Sequence, residues 1–495
     1  MKDDSVPATQ AGTAPSVDPR IALLCFSILG LALAALRIPE AVSNPCFGGD
    51  EAHRMHMAAF PAIRMDNRVW LPALQVHIWL LHLFHAPYYT FRLIPCFYYF
   101  LSIVLLGTLC FRQMGQSRFG LAFSLTFVAL FADQNLVVNL GASLMQEIIE
   151  LAVLLLLLLG GALELKKKRW LILAAIFALL TRDTFWIYLF VITLLNWKKI
   201  LSDRTYVLSF LVIWAVPLLW LLMTPVGHFL ADGHWPVFPT QWPLGINKAG
   251  HHAFSDMSRA LSSVWTSLTK TRVVHFAAAL VLLAIGLQLC RIGSANSSRV
   301  SDDFVARFAP FSLLSLSIVY ILTVVFDPYQ CTFSDSRMSA PLLYHGAVWA
   351  VILLRRSLAC PGPAKYIVLA CILAGLLPST NIARGASYPR DHTQVKGVYR
   401  EMEHDLSTVA KIEDLRVCIV DGDYFSALHS LLKPTLYAKR RVVLQSAHPP
   451  LRGCDVVFAR RDPEYFTGEN FKKAKSYVID GRNYTLFVSN KSREP

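Results

Sequence analysis

The chain of 495 residues is 55% apolar and only 16% charged, with a formal net charge of +14. Water-soluble domains carry about 45–50% apolar and about 25% charged residues, so this composition excludes a chain whose whole surface faces water. The positive balance does not read as nucleic-acid binding, because the basic residues gather at the ends of apolar runs, as at residues 166–169, 198–199 and 355–356, the pattern that orients membrane helices.

Residues 1–20 are polar and rich in Ala, Pro and Thr, without a basic leader pattern. They read as a disordered tail before a retained first helix rather than a cleaved signal. Apolar runs follow at residues 21–36, 91–111, 119–140, 147–160, 170–180, 184–196, 206–223, 273–290, 308–326, 340–354 and 366–377. Most approach the roughly 17–25 residues that a bilayer-spanning helix needs. Residues 69–86 are apolar too, but are interrupted by Pro72, Gln75, His77, His82 and His85. If this stretch spans the membrane and the N-terminus is cytoplasmic, the basic clusters fall outside, against the positive-inside rule. If it lies in the outer interface, every cluster falls inside, together with Arg112, Arg118 and the loop at 291–307. The expected fold class is therefore an α-helical polytopic membrane protein of about eleven transmembrane helices plus one juxtamembrane helix, followed by a soluble α/β domain. The expected division is a tail at 1–20, a transmembrane domain at 21–379 and an extracytoplasmic α/β domain at 380–495, with strands at 415–420, 455–459, 476–479 and 484–488. The ten cysteines show no zinc-finger spacing. Cys418 and Cys454 fall in the soluble tail, either as a disulfide or as two thiols. Asn483-Tyr484-Thr485 and Asn490-Lys491-Ser492 are sequons, which matter only in a eukaryotic lumen.

This topology sets five features on one outer side: the Asp50-Glu51 loop, Arg92, the turn at 141–147, the hinge at 181–183 and the loop at 330–337. Ionisable groups at membrane depth are costly and mark function by default. A carboxylate can serve as general base toward a hydroxyl or amine. Arginines, always charged and bidentate, suit a phosphate. Acids Asp50, Glu51 and Glu147 with Arg92, Arg182 and Arg337 thus suggest group transfer from a lipid-linked phosphate.

The order of one helix, a DE pair in GGDEAHRMH, a Pro-containing apolar stretch WLPALQVHIWLLHLF and an Arg-Leu opening FRLIPCFYYFLSIVLL resembles the GT-C glycosyltransferases. The similarity is to the bacterial group of protein O-mannosyltransferases and lipid A aminoarabinose transferases. SDSRMSAPLL resembles that group's arginine before a Pro-containing helix, and LLTRDTFWIYL its short paired helices with a basic tip. The resemblance covers about residues 21–377 and, loosely, the C-terminal domain. It implies transfer of a sugar from a polyprenyl (dolichyl-type) phosphate carrier to a protein, lipid or glycan acceptor, usually with inversion. It implies Asp50 as the catalytic acid of the DE pair, with Glu51 beside it and Arg92 as the second-span arginine. Glu147 answers to the acid of the second outer loop, a place that Asp133 or Glu150 also fits. The chain departs from the pattern at Leu71-Pro72-Ala73, His53 and Arg182-Asp183, which leaves sugar and acceptor open. The expected location is a bacterial inner membrane with the C-terminal domain outside, in preference to the endoplasmic reticulum.

Plainer roles exist for the same residues. Asp50-Glu51 suits a solvated loop-helix start, the arginines suit snorkelling anchors, and Glu147 with Glu150 suits a helix cap. Asp50, His53 and His56 have a spacing open to a divalent metal, though no cluster demands one. His251-His252, Trp235 and Trp242 suit headgroup packing. DEAH lacks the phosphate loop of a helicase. A lipid or glycan transporter or flippase, an oligosaccharide polymerase or ligase, and a non-enzymatic scaffold are the alternative functions.

Overall fold

The computed structural model describes residues 16–43, 73–84, 88–142, 146–160, 170–182, 184–232, 304–326, 340–358, 414–420, 441–446, 454–459, 471–479 and 482–489, with single positions at 366, 370, 372, 401 and 405. These residues are mostly helical. Helix α1 is Pro19–Ser43, α2 Ala73–Leu83, α3 Tyr88–Met114, α4 Arg118–Ala132, α5 Asn135–Ala142 and α6 Gln146–Gly160. Then come α7 Trp170–Thr181, α8 Thr184–Leu201, α9 Arg204–Asp232, α10 Phe304–Phe326 and α11 Ala340–Leu358.

Two segments are long and apolar enough to cross a membrane, Pro19–Pro39 and Thr90–Met114. A third counts if α4 and α5 are one span bent by 72°. The expected count of about eleven is not met among the described residues. The helices Trp170–Thr181, Thr184–Lys198, Arg204–Val216, Phe308–Ile318 and Ala340–Arg355 are apolar over shorter lengths, and the runs at 273–290 and most of 366–377 lie outside the described residues. The single run read at 119–140 breaks because Asp133 ends α4, its N–H bonding back to the Ala129 carbonyl 3.1 Å away. Helix α2 has 11 residues, which at 1.5 Å per residue reach about 16 Å, half a bilayer core. The run read at 69–86 extends beyond the described residues on both sides. Ala73, Leu74 and Ile78 are buried while Val76, Trp79, Leu80 and Leu83 are exposed.

The helices alternate in direction. Phe26 of α1 packs edge-on to Phe111 of α3, and Ala41 packs with Cys96 and Ala142, so α1 and α3 are antiparallel. Residues 16–18 are drawn into this pair, since the Val17 N–H bonds the Gln116 carbonyl at 2.8 Å. Residues 16–20 of the segment read as a tail are among the described residues, and α1 begins at Pro19. Gly115, with φ 81°, supplies the left-handed residue that ends α3. Ser117 then caps α4, accepting the Gly120 N–H. Arg112 at the end of α3 donates to the Leu159 carbonyl at the end of α6, so those two helices run the same way. Arg355 donates to Gln113 at 2.6 Å, which brings the end of α11 to the end of α3. One end of the bundle therefore carries Arg112, Arg118 and Arg355. The opposite end carries the start of α3, the end of α5, the start of α6, the end of α7 and the start of α8.

The C-terminal part contains β1 Asp414–Val420, β2 Arg441–Ser446, β3 Val456–Ala459, β4 Phe471–Ile479 and β5 Arg482–Ser489, in the order β2-β1-β3-β5-β4. β1 is parallel to β2 and β3, and β5 is antiparallel to β3 and β4. Four of these strands match expected ones. β2 was not anticipated: its apolar stretch Val442-Val443-Leu444 follows Lys439-Arg440-Arg441 and lacks the alternation of a half-exposed strand. Cys454, Val457, Ala459 and Phe487 form the core of the sheet. Of the two readings of Cys418 and Cys454, a disulfide or two thiols, Cys454 is disulfide-bonded, and the Cys418 side chain lies outside the described ones. In backbone register Cys418 stands opposite Val457, three residues beyond Cys454. At the β4 edge, Lys475 pairs with Glu401 and with Asp405 at 3.1 Å, and Tyr477 donates to Asp405 at 2.7 Å. Burial, and then that carboxylate, hold the Tyr477 phenol above its ordinary range.

A Cβ at Gly107 would stand 2.5 Å from the Phe26 ring, which is itself fully buried. Gly107→Ala is expected to separate α3 from α1 and destabilise the protein by about 1–3 kcal/mol, the usual cost of overpacking. Denaturant titration of the detergent-purified variant against wild type measures it, and an unchanged midpoint would contradict this account of the α1–α3 contact.

Candidate functional site

The charged end of the bundle is built from the first turn of α6 and the α7–α8 junction. Glu147 and Glu150 are three residues apart on α6, so they share one face. Thr184 and Tyr188 share a face of α8 by the same rule, at a spacing of four. Helix α7 ends at Thr181, and Arg182 follows it. The three faces close on one another. Arg182 donates from Nη1 to Glu150 Oε2 at 2.8 Å, and Tyr188 donates to Glu150 Oε1 at 2.7 Å. The Thr184 hydroxyl donates to the same Oε1. Glu147 Oε1 is 3.7 Å from the same Arg182 nitrogen. The Arg182 side chain is 5% exposed and that of Glu150 0%. An acid accepting from three donors in this setting has the arrangement of a carboxylate, and a buried pair of this kind holds only if its remaining lone pairs are satisfied.

Arg92 lies at the same end, 1% exposed, and donates from Nη1 to the Ala142 carbonyl at 3.3 Å. That carbonyl belongs to the last residue of α5, four residues before Gln146. Tyr99, two turns further along α3, donates to the Ala132 carbonyl at 3.0 Å, and the ring stands where a Cβ on Gly141 would be. The bend between α4 and α5 is therefore packed against α3, and the end of α5 lies against Arg92.

Of the six expected site residues, the structure places Arg92, Glu147 and Arg182 at one end of the bundle and joins Glu147 and Arg182 directly. Asp50, Glu51 and Arg337 lie outside the described residues, as do His53 and His56. Glu150, an alternative candidate from the sequence, makes the closer contact with Arg182. Asp133, the other alternative, stands at the end of α4 on the same side. Among the described residues no three His, Cys, Asp or Glu side chains gather as metal ligands.

Arg37, Tyr188, His345 and Ser312 are among the buried polar residues not singled out from the sequence. Arg37, 2% exposed, is in the last third of α1, one residue past the expected helix end. Tyr188 is inside LLTRDTFWIYL, and its spacing from Thr184 was the signal available. His345 and Ser312 meet at 2.7 Å between α11 and α10, and nothing in the local sequence of either helix points to the other. Tyr188 links the two groups: its hydroxyl is on Glu150, while its ring centroid is 4.4 Å from that of His345.

Removing one partner of a buried ion pair strands the other. Arg182→Met is expected to cost about 3–5 kcal/mol in folding stability by that mechanism, and Glu150→Leu a comparable amount. The double variant should lose clearly less than the two costs added, as a denaturation cycle on detergent-purified proteins would record. Strict additivity would show that the pair is not coupled.

Compared with known proteins, the chain finds no counterpart: no family model, no curated protein and no solved structure matches it.

Proposed function

We propose that the chain is a membrane glycosyltransferase that moves a sugar from a polyprenyl-phosphate carrier to a protein, lipid or glycan acceptor at the outer face of a bacterial inner membrane. The observation that carries this reading is the gathering of Arg92, Glu147, Glu150 and Arg182, all buried, at one end of an otherwise apolar helical bundle. Two apolar helices able to cross a membrane support the setting. The basic residues at the other end agree with a cytoplasmic side there.

In this mechanism the acceptor hydroxyl or amine attacks the anomeric carbon as the bond from that carbon to the phosphate oxygen breaks. The attacking group gives its proton to Asp50. The phosphate leaves with the bonding electron pair on the polyprenyl carrier, and Arg92, Arg182 and Arg337 stabilise its charge. Glu150 holds Arg182 at a fixed orientation, and Glu51 and Glu147 position donor and acceptor. Attack from the face opposite the phosphate inverts the anomeric centre. The full fold under this reading is GT-C-like, about eleven spans and one juxtamembrane helix, with the soluble domain after residue 380 contacting the acceptor.

The test is release of polyprenyl phosphate from a panel of polyprenyl-phosphate sugars, by detergent-purified protein supplied with envelope acceptors. Wild type should release it from at least one donor. Asp50→Asn and Glu147→Gln should each reduce the rate by about 100-fold or more, the usual share of a positioned acid or base, with the unfolding midpoint preserved. A folded wild type that releases carrier from no donor would remove the transferase reading.

A further inference from the structure

Three of the helices that start at the end of the bundle carrying Arg112 have an arginine in the first turn: Arg20 in α1, Arg118 in α4 and Arg204 in α9. The positive end of a helix dipole is an unfavourable place for a cation, and none of the three first turns holds an acid. The helix starts are capped by other residues. The Asp18 carboxylate accepts the Arg20 N–H at 2.8 Å, Ser117 Oγ the Gly120 N–H at 3.1 Å and the Asp203 carboxylate the Thr205 N–H at 2.9 Å. All three arginines are exposed, and their guanidinium groups have no partner among the described residues. Arg112 differs, since it stands in the last turn of α3 and donates to the Leu159 carbonyl.

Two of these arginines are neighbours. Ser16 and Ser117 form an antiparallel bridge beside the bond from Val17 to Gln116, so the segments leading into α1 and α4 lie side by side. Val17, Leu121 and Leu125 pack over Phe26 and Phe111, which holds the two helix starts together. Arg204 stands apart, on a helix that packs against α7 and α8. Exposed apolar side chains adjoin each arginine: Ile21 follows Arg20, Phe119 follows Arg118, and Trp197 and Leu201 precede Arg204. Lys198 Nζ lies 5.8 Å from the Trp197 ring centre. Exposed cations beside exposed aromatic and aliphatic groups mark the level where acyl chains meet headgroups. The two segments long enough to cross a membrane, Pro19–Pro39 and Thr90–Met114, both reach a terminus at this level. A soluble anion would leave the apolar neighbours facing water, whereas a lipid covers both kinds of group at once.

We propose that the Arg20–Arg118 corner is a docking site for the headgroup of an anionic phospholipid, with Arg204 making a like contact at its own helix start. A guanidinium offers paired N–H donors to the phosphodiester oxygens, and the lipid's charge offsets the cost of a cation at the helix start. A zwitterionic lipid brings a choline with its phosphate, and two adjacent guanidinium groups repel it. The site needs the bundle to lie in a bilayer and nothing of the transfer reaction.

Electron spin resonance of spin-labelled lipids tests it on the full chain in phosphatidylcholine vesicles. Wild type should hold spin-labelled phosphatidylglycerol about fivefold more strongly than spin-labelled phosphatidylcholine, the worth of about one basic residue at an anionic surface. Raised sodium chloride should weaken the preference. In the double variant Arg20→Gln/Arg118→Gln the preference should fall to half or less, whereas Lys472→Gln, at an exposed position of β4, should leave it unchanged. The unfolding midpoint of the double variant in a neutral detergent should be equal to that of wild type or higher, since each substitution removes a cation from the positive end of a helix. Equal holding of the two lipids by wild type would overturn the proposal. A double variant that folds and keeps the full preference would do the same. So would one that is destabilised in neutral detergent, by showing that the arginines hold the helix starts rather than a lipid.

Discussion

The arrangement of α6, α7 and α8 depends on one carboxylate. Glu150 has no contact with solvent, and its two oxygens accept from Arg182, Thr184 and Tyr188. Apolar packing alone would let three such helices slide, because Leu against Leu is much the same one turn further along. A buried acid with three donors fixes the register, since a displacement of one turn would strand the acid and the guanidinium together. Other features follow from that position. The Tyr188 ring is set against His345, the His345–Ser312 bond ties α11 to α10, and Glu147 is brought within ion-pair range of Arg182.

The bundle closes around this point with little ornament. Glycines stand where helices approach most closely, as at Gly107 against Phe26 and Gly160 against Leu171 and Trp170. Small residues at contacts are the usual means by which helices associate without a hydrophobic driving force. The outward faces remain apolar, with Leu24, Ile28 and Leu31 of α1 all more than half exposed, which suits a lipid solvent and no aqueous one.

Much of the helical part was legible because apolar runs bounded by charge are a strong signal. Helices α1, α3, α6 and α7 fall within a few residues of their expected ends at one side or both. The break at Asp133 was not singled out from the sequence: residues 119–140 are apolar on either side of Asp133-Gln134-Asn135, and the bend of 72° falls where Tyr99 of α3 bonds the Ala132 carbonyl. Strand β2 was missed for a related reason, since a short apolar run beside three basic residues has no period to count. At the site, Arg92, Glu147 and Arg182 could be chosen because a charge amid apolar residues is conspicuous. The partners Tyr188 and His345 could not, since a tyrosine or a histidine in an apolar helix is unremarkable until a second helix is known to face it.

The same ion pair bears on how the chain is made. A charged side chain at the centre of a helix entering a bilayer alone costs about 2.5–3.5 kcal/mol, and α6 and α7 each bring such residues near one end. Delivered one after the other, each helix would meet lipid with its charge unmatched. Taken together, with Gly160 close against Trp170 and Leu171 at one end and Glu150 against Arg182 at the other, the two helices carry matched charges. The acid that positions the site is thus also the group that matches the charge following the next helix.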